Sequence, residues 1–208
     1  MHRQVRIGTA TVSGMQIGIL GTGTLATALA TAWSEAGHQL VIGGRDHAKA
    51  QALAAAVGGR AVPPREVDGD AVLLAVAWAG VEPMLDAAGE LDGVALIDPV
   101  NPVEHGVGVV LASAAERIAA LKPRAHVVKA FHLYPASQWT ERPERVVVPI
   151  CGDDGGVLEH VGALVRDAGG DPVTVGGLRR ARQLEEAAGL VIALAFAGAN
   201  PRSAVPSV

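Results

Sequence analysis

A glycine-rich turn near the N-terminus is the clearest indication of ligand binding in the sequence. It runs Gly21-Thr-Gly-Thr-Leu-Ala26 and has the spacing G-x-G-x-x-A. In dinucleotide-binding proteins the first glycine permits a tight turn, the second lets a pyrophosphate approach the backbone, and the small third residue lets the helix pack on its strand. Free N–H groups at the start of that helix attract the phosphates. Because 26 of the 208 residues are glycine, an ordinary strand-to-helix turn is the alternative interpretation.

Two cations follow the second predicted strand, at the position that distinguishes NAD from NADP in nucleotide sites of this kind. NAD-binding proteins usually place Asp or Glu about 20 residues after the glycines, where the carboxylate binds the ribose 2′-hydroxyl. Here the segment Val41-Ile-Gly-Gly-Arg45 ends without an acid, and Lys49 follows one helical turn later. Arg can donate two parallel hydrogen bonds to a phosphate, and Lys adds a point charge. The pattern predicts NADP(H) and not NAD; the alternative is that both side chains are solvated surface charges.

Short apolar runs alternate with helical patterns along the chain, which is typical of a parallel sheet covered on both faces. We therefore predict an α/β fold of the Rossmann type, with a doubly wound, mostly parallel sheet and a small C-terminal α/β extension. Strands are predicted at residues 16–20, 39–43, 61–62, 70–76, 94–97, 126–131, 146–150 and 172–175, and helices at 24–36, 47–57, 81–88, 113–121, 156–168 and 180–196.

The predicted organisation has three parts. Residues 1–14 have no apolar segment of the kind found in signal peptides, and they are interpreted as a disordered extension, with Met15 as an alternative start. Residues 15–145 form the NADP-binding Rossmann domain. Residues 146–208 form a strand–helix extension that completes the substrate pocket, without a linker to mark it as an independent domain.

The overall composition excludes several classes of partner. A net charge of −4 and a pI near 6.0 provide no basic surface, which argues against nucleic acid. No apolar run approaches the roughly 20 residues that cross a bilayer, so no membrane association is expected. The single cysteine, Cys151, excludes an internal disulfide and fits a reducing compartment. We expect a cytoplasmic protein whose partners are small-molecule cofactors.

Six segments, spread in order over most of residues 15–200, resemble one family. They are Ile17-Gly-Ile-Leu-Gly-Thr-Gly-Thr-Leu25, Val41-Ile-Gly-Gly-Arg45, Val76-Ala-Trp78, Pro99-Val-Asn-Pro-Val103, Phe131-His-Leu-Tyr-Pro-Ala136 and Val148-Pro-Ile-Cys-Gly-Asp-Asp154. The chain resembles the F420-dependent NADP oxidoreductases, short reductases with an N-terminal Rossmann fold. The resemblance implies that NADP(H) and the deazaflavin coenzyme F420 bind side by side, and that the protein is a homodimer.

The resemblance also implies roles for individual residues. The pyrophosphate lies on the glycine turn and the 2′-phosphate lies at the end of the second strand, while two later loops border the nicotinamide and F420. The residues are Gly21, Thr22, Gly23, Thr24 and Leu25 for the pyrophosphate, Gly44, Arg45 and Lys49 for the 2′-phosphate, Val76, Ala77 and Trp78 beside the nicotinamide, and Asn101, Pro102 and His132 beside F420.

Three departures from the family pattern bear on these assignments. Gly44 replaces the usual Ser or Thr, which removes a hydroxyl donor next to the 2′-phosphate. Ala77 replaces a proline before the tryptophan, and Leu133-Tyr134 replaces Thr-Ile after the histidine. The F420 side of the pocket therefore departs more from the family than the NADP(H) side does.

Hydride transfer between two ring systems depends on stacking and exclusion of water, so we expect neither a catalytic side chain nor a metal. His132 could donate a hydrogen bond to a deazaflavin carbonyl, or it could cap local backbone. Trp78 could pack against a cofactor ring or anchor a loop. Cys151 is expected to be buried, and Asp153 and Asp154 to be turn and N-cap residues.

Three functional hypotheses follow. The first is an F420:NADP oxidoreductase. The second is an NADPH-dependent reductase of the same fold that acts on a flavin, a ferric complex or an imine-like molecule. The third is a non-catalytic NADP(H)-sensing module, which needs no open pocket beside the nicotinamide. In all of them His105, in a predicted loop, either borders the pocket or is exposed.

Overall fold

The computed structural model describes residues 14–104, 107–142 and 144–204, so residues 1–13 of the predicted extension and His105 lie outside it. Six parallel strands form one sheet in the order β3-β2-β1-β4-β5-β6, the order of dinucleotide-binding Rossmann folds. The predicted fold class is confirmed. The strands are β1 Gln16–Leu20, β2 Gln39–Gly43, β3 Arg60–Val62, β4 Ala71–Leu74, β5 Ala95–Asp98 and β6 His126–Lys129.

Helices connect the strands and cover both faces of the sheet. They are α1 Thr24–Glu35, α2 His47–Val57, α3 Val81–Ala87, α4 Ala114–Leu121, α5 Ala136–Glu141, α6 Gly155–Asp167 and α7 Ala181–Phe196. Three of them begin with a side-chain cap: Asp46 accepts from the Lys49 N–H, Ser113 from the Glu116 N–H and Asp154 from the Val157 N–H. In the part of the chain that the structure describes, no helix is both long enough and apolar enough to span a bilayer.

Two apolar clusters hold these layers together, one on each face of the sheet. Both are built mainly from Ala, Val, Leu and Ile, as the 3% aromatic content requires. One cluster joins α1, α2 and α6 to the sheet, and the other joins α3, α4 and the start of α7. Since every strand of a doubly wound sheet is buried on both sides, its short apolar runs need no polar alternation.

The C-terminal part of the chain packs on this frame through a second, smaller sheet. Its strands β7 (Val147–Ile150) and β8 (Asp171–Thr174) are parallel, and an isolated antiparallel bridge between Lys129 and Cys151 connects them to β6. The buried Trp33 of α1 donates its indole N–H to the Leu164 carbonyl of α6 at 2.9 Å. The C-terminal helices therefore share a core with the first half of the chain.

The structure differs from the predicted elements at strand ends and in one helix. The predicted strand 126–131 ends at Lys129, because Phe131 adopts a left-handed backbone with φ of 61°. The predicted strand 70–76 ends at Leu74, and a 3₁₀ turn at Trp78–Gly80 follows. Helix α5 was not predicted, since it has only six residues and no side-chain cap.

Candidate functional site

A cleft of about 400 Å³ opens at the carboxyl ends of the strands. It lies between the segments that follow β1, β2 and β4, where the order of the strands along the chain reverses. In open parallel sheets this switch point is where nucleotides and substrates bind. The cleft is lined by Gly21, Thr22, Gly23, Gly44, Arg45, Asp46, Lys49, Ala75, Val76, Ala77, Ala79, Gly80 and Met84.

The glycine turn has the geometry that a pyrophosphate site needs. Gly21 has φ of 131°, and a Cβ there would stand 2.1 Å from the Ala75 carbonyl oxygen, so only glycine fits. At Gly23, in contrast, a Cβ would meet no atom within 4 Å. Ala26, in the first turn of α1, is fully buried. Gly23 is the N-cap of α1 and has no side chain to cap the first N–H groups, which leaves them available to an anion.

The cations after β2 line the other side of the same cleft. Arg45 and Lys49 are both exposed, and Arg45 forms no ion pair within the residues described. Asp46 uses one carboxylate oxygen for the Lys49 backbone N–H at 3.2 Å, and the other lies 3.9 Å from the Lys49 ammonium. Within this segment, Arg45 is the cation that no carboxylate neutralises.

The absence of a side chain at Gly44 has a local cause. A Cβ at Gly44 would stand 2.9 Å from the methyl group of Thr22 and 3.8 Å from its hydroxyl oxygen. Thr22 therefore fills the space that a Ser or Thr at position 44 would use. The hydroxyl that the sequence lacks at position 44 is present beside it, on the glycine turn.

The segment after β4 forms the wall of the cleft opposite the cations. Val76 and Ala77 line the cleft, and Ala77 has φ of −67° and ψ of 156°, the backbone that a proline would impose. The Trp78 side chain packs against the apolar cluster of α3 and α4 and also lines an adjoining groove with Glu82 and Asp86. Trp78 is thus placed next to the cleft and not among its lining residues.

The remaining predicted site residues lie one and two strands further along the sheet. Asn101 follows β5 and His132 follows β6, and the Asn101 side-chain amide donates to the His132 carbonyl oxygen at 2.6 Å. The Asn101 side-chain oxygen and both ring nitrogens of His132 are buried without a hydrogen-bond partner in the part of the chain described. Buried polar atoms are seldom left unpaired, so these three atoms are candidates for ligand contact.

His132 is held in its neutral form. Its side chain is buried, and burial together with the nearby Lys129 ammonium lowers the pKa of His132 to about 3. A neutral imidazole carries one N–H donor and one acceptor nitrogen. At physiological pH His132 can therefore donate a hydrogen bond to a carbonyl, but it does not supply a positive charge.

Next to His132 lies a buried charge cluster that sequence reasoning missed. The Lys129 ammonium donates to Asp98 at 3.0 Å, to Glu185 of α7 at 2.7 Å and to the Val100 carbonyl oxygen, and all three charged side chains are fully buried. One sequence feature could have revealed it. Lys129 interrupts an apolar strand, and Asp98 ends the neighbouring apolar strand at the position with which it pairs.

Three residues that invited a chemical role have structural ones. Cys151 is buried, and burial raises the pKa of its thiol to about 11, as expected for an unreactive cysteine. Asp154 caps α6, and Asp153 accepts the Leu178 N–H at 2.8 Å. The predicted N-cap role is confirmed for Asp154, whereas Asp153 binds a distant segment and not a local turn.

The structure thus brings one part of the predicted site into a single cleft and places the rest beside it. Trp78, Asn101 and His132 lie on neighbouring loops, Thr24 is exposed in the first turn of α1, and Leu25 packs against the core. The predicted site residues that line the cleft are Gly21, Thr22, Gly23, Gly44, Arg45, Lys49, Val76 and Ala77.

Comparisons with known proteins agree with this geometry. The rat (Rattus norvegicus) metalloreductase STEAP3 is 31% identical over 173 residues, which cover 82% of this chain but only 36% of that protein. The chain therefore spans about a third of the length of this curated relative. A crystal structure of a candidate F420-dependent NADP-reductase from Arthrobacter sp. FB24 superposes with a TM-score of 0.77, at 24% identity, over 89% of this chain and 96% of that one.

A further structure shares the fold at lower similarity. The imine reductase of Aspergillus terreus, solved with NADPH4 and dibenz[c,e]azepine, has a TM-score of 0.68 and 20% identity over 90% of this chain and 64% of that one. Residues 16–102 match the model of the family described as NADP oxidoreductase, coenzyme F420-dependent. These residues hold the glycine turn, the cations after β2 and the segment after β4, so the predicted resemblance to the coenzyme F420-dependent NADP oxidoreductases is confirmed for this part of the chain.

Proposed function

We propose that this protein transfers a hydride between NADP(H) and coenzyme F420. The observation that carries the proposal is the cleft at the switch point, where an open glycine turn faces Arg45, a cation that no carboxylate among the described residues neutralises. In the direction of F420 reduction, NADPH, a proton and oxidised F420 give NADP⁺ and reduced F420. The two cofactors supply the redox chemistry, and the protein binds them, orients them and excludes water.

The residues of the cleft fit NADP(H). The space above Gly23 is what a pyrophosphate needs in order to reach the backbone, and the uncapped N–H groups of Thr24 and Leu25 would receive it. Arg45 and Lys49 would hold the 2′-phosphate. The Thr22 hydroxyl lies close enough to Gly44 to replace the donor that the family usually has there.

F420 is the second substrate that the family description supports. Val76, Ala77 and Trp78 would border the nicotinamide, while Asn101, Pro102 and His132 would border the deazaflavin. Buried atoms of Asn101 and His132 that lack a partner among the described residues are consistent with this role. Neutral His132 would donate to a ring carbonyl and orient it, and we assign it no proton transfer.

A second candidate function is reduction of a different acceptor by NADPH. The similarity to a metalloreductase and the shared fold with an imine reductase favour keeping it, since both are reductases with other substrates. The departures at Leu133 and Tyr134 would lie on the acceptor side of the site, next to His132. A ferric complex, a flavin or a cyclic imine would then take the place of F420.

An acceptor panel distinguishes these functions. The protein is mixed with NADPH and, in separate reactions, F420, FMN, ferric citrate or a cyclic imine, and the loss of NADPH absorbance is followed. We expect oxidation with F420 alone. Oxidation with another acceptor only would establish the second function, and tight NADPH binding without oxidation by any acceptor would favour the sensing module.

We further propose that the chain forms a homodimer through the C-terminal half of α7. Leu190 is 57% exposed, although this half of the helix is almost entirely apolar. Such a helix face is usually covered. Light scattering after size exclusion should give twice the monomer mass, and Leu190→Glu should reduce it. A monomer at micromolar concentration would refute the dimer.

We retain the division at residues 145 and 146 as a proposal, with residues 146–208 completing the second pocket. It is supported by Glu185 of α7, which contacts Lys129 two strands away from the cleft. Because Trp33 and Leu164 join the two parts through a buried hydrogen bond, we do not expect the extension to fold alone.

A further inference from the structure

Four elements of the fold meet at one buried ammonium group. Lys129 lies on β6 and donates to Asp98 at the end of β5, to the Val100 carbonyl in the loop after β5, and to Glu185 on α7. Glu185 accepts in addition the Ala115 N–H at 3.2 Å, in the first turn of α4. All three donors of the ammonium are therefore used, and each acceptor belongs to a different segment.

The loop after β5 is the segment that this cluster constrains most. The Val100 N–H donates to Asp98 at 2.8 Å and the Val100 carbonyl accepts from Lys129, so both backbone polar groups of Val100 are bound to the cluster. The next residue, Asn101, is bound to the His132 carbonyl through its side chain. The backbone that carries Asn101 can shift only if Lys129 or Asp98 shifts with it.

Stability alone is a weak reason for burying three charges. Removing charges from water is expensive, and apolar side chains of similar volume commonly give equal or greater stability. Hydrogen bonds to a buried ammonium, in contrast, are directional and define where each acceptor must lie. The cluster is therefore better suited to placing the loop and α7 relative to β6 than to strengthening the core.

We propose that Lys129 and Glu185 are positioning residues, which hold the loop carrying Asn101 in register with α7 so that the second-substrate side of the site keeps its shape. This inference rests on the proposed function for its effect on turnover, but its structural part does not. The NADP(H) cleft is formed by the segments after β1, β2 and β4 and lies outside the contacts of this cluster. Loss of the cluster should thus affect turnover and leave NADPH binding intact.

Two variants of Glu185 test the length of its side chain and its charge separately. Glu185→Asp keeps the charge but is one methylene shorter, so its carboxylate cannot reach both Lys129 and Ala115 from the same backbone. Glu185→Gln keeps the length and one acceptor oxygen but loses the charge. The matched control is Glu186→Asp, since Glu186 is the next residue of α7 and, among the described residues, forms only an exposed ion pair with Arg182.

The measurements are amide hydrogen exchange in the full-length protein, the NADPH dissociation constant, and kcat and KM with F420. For Glu185→Asp we expect exchange at residues 98–102, where only Asp98, Val100 and Asn101 carry an amide proton, to rise about tenfold. We expect kcat to fall about tenfold or more, because small displacements near reacting groups have large effects on rate. The NADPH dissociation constant should change less than about twofold. Glu185→Gln should stay within about threefold of wild type in both exchange and kcat.

Several outcomes would overturn the inference. One is unchanged exchange at residues 98–102 in Glu185→Asp, and another is an equal loss in Glu185→Gln. A third is a parallel loss of NADPH affinity with exchange raised throughout the chain, which is what a purely structural residue would give. Exchange is measured without substrate, so it decides the inference even if wild-type protein does not reduce F420, a result that would count against the proposed function alone.

Discussion

Arg45→Ala is the perturbation that tests the NADP(H) assignment most specifically. Arg45 lines the cleft, is exposed, and has no carboxylate partner among the described residues, whereas Lys49 shares Asp46. A hydrogen bond to a charged group contributes about 1.5–3 kcal/mol, and exposure to solvent favours the lower half of that range. We therefore expect NADPH to bind about 10- to 30-fold more weakly, from a loss of about 1.5–2 kcal/mol.

The assay is titration of cofactor fluorescence with NADPH and with NADH at fixed, low ionic strength. NADH lacks the 2′-phosphate, so its affinity should change by less than about 0.4 kcal/mol, roughly twofold. Higher salt should reduce the wild-type preference for NADPH, since the Debye length shortens from about 30 Å at 0.01 M to about 10 Å at 0.1 M. Arg65→Ala is the matched control, because Arg65 is exposed, lies outside the cleft and pairs with Glu66.

The possible outcomes of this titration have different meanings. A selective loss of NADPH affinity places Arg45 at the 2′-phosphate. Equal losses for NADPH and NADH would show that Arg45 supports the site in another way, and no loss for either cofactor would refute the assignment of these cations.

Three further predictions concern single residues. Burial and Lys129 lower the pKa of His132 to about 3, so between about pH 6.5 and pH 3 the unfolded chain binds a proton on this histidine and the folded protein does not. The free energy of unfolding therefore falls as the pH drops below about 6.5, and at pH 5 the loss from His132 is about 2 kcal/mol. Urea denaturation should show this loss disappearing in His132→Gln and persisting in His126→Gln, where the histidine is exposed. Cys151, with its pKa raised to about 11, should react with iodoacetamide at pH 8 only after unfolding, and labelling of the native protein at the rate of free cysteine would contradict its burial. Ala77→Pro should stabilise the protein by about 0.4–1 kcal/mol, because its backbone already suits proline and its N–H donates to no acceptor in the described residues; a lower thermal midpoint would refute this.

The cofactor cleft could be predicted because its determinants are local in sequence. The glycine turn specifies its own backbone, and Arg45 lies two residues after a strand whose neighbour in the sheet carries that turn. Once the strands are assigned as parallel, their carboxyl ends must meet at one edge. The same logic placed Asn101 and His132 on neighbouring loops.

The charge cluster and the role of Gly44 could not be predicted in the same way. Lys129 and Asp98 pair on neighbouring strands, but Glu185 comes from α7, and only tertiary packing brings it within hydrogen-bond distance of Lys129. A Cβ at Gly44 would stand 2.9 Å from the methyl group of Thr22, which is far from Gly44 in sequence and adjacent in space. Sequence patterns describe the faces of elements well, but they do not describe contacts between elements.

The central claim is that a hydride passes directly from NADPH to F420 in this protein. The most direct test uses NADPH deuterated at each face of the nicotinamide C4 in turn, followed by mass spectrometry of the reduced F420. We predict deuterium in reduced F420 from only one of the two labelled forms of NADPH, and no deuterium from deuterated water at the F420 carbon that receives the hydride. Reduced F420 without the label, or no reduction of F420 at all while NADPH binds, would contradict it.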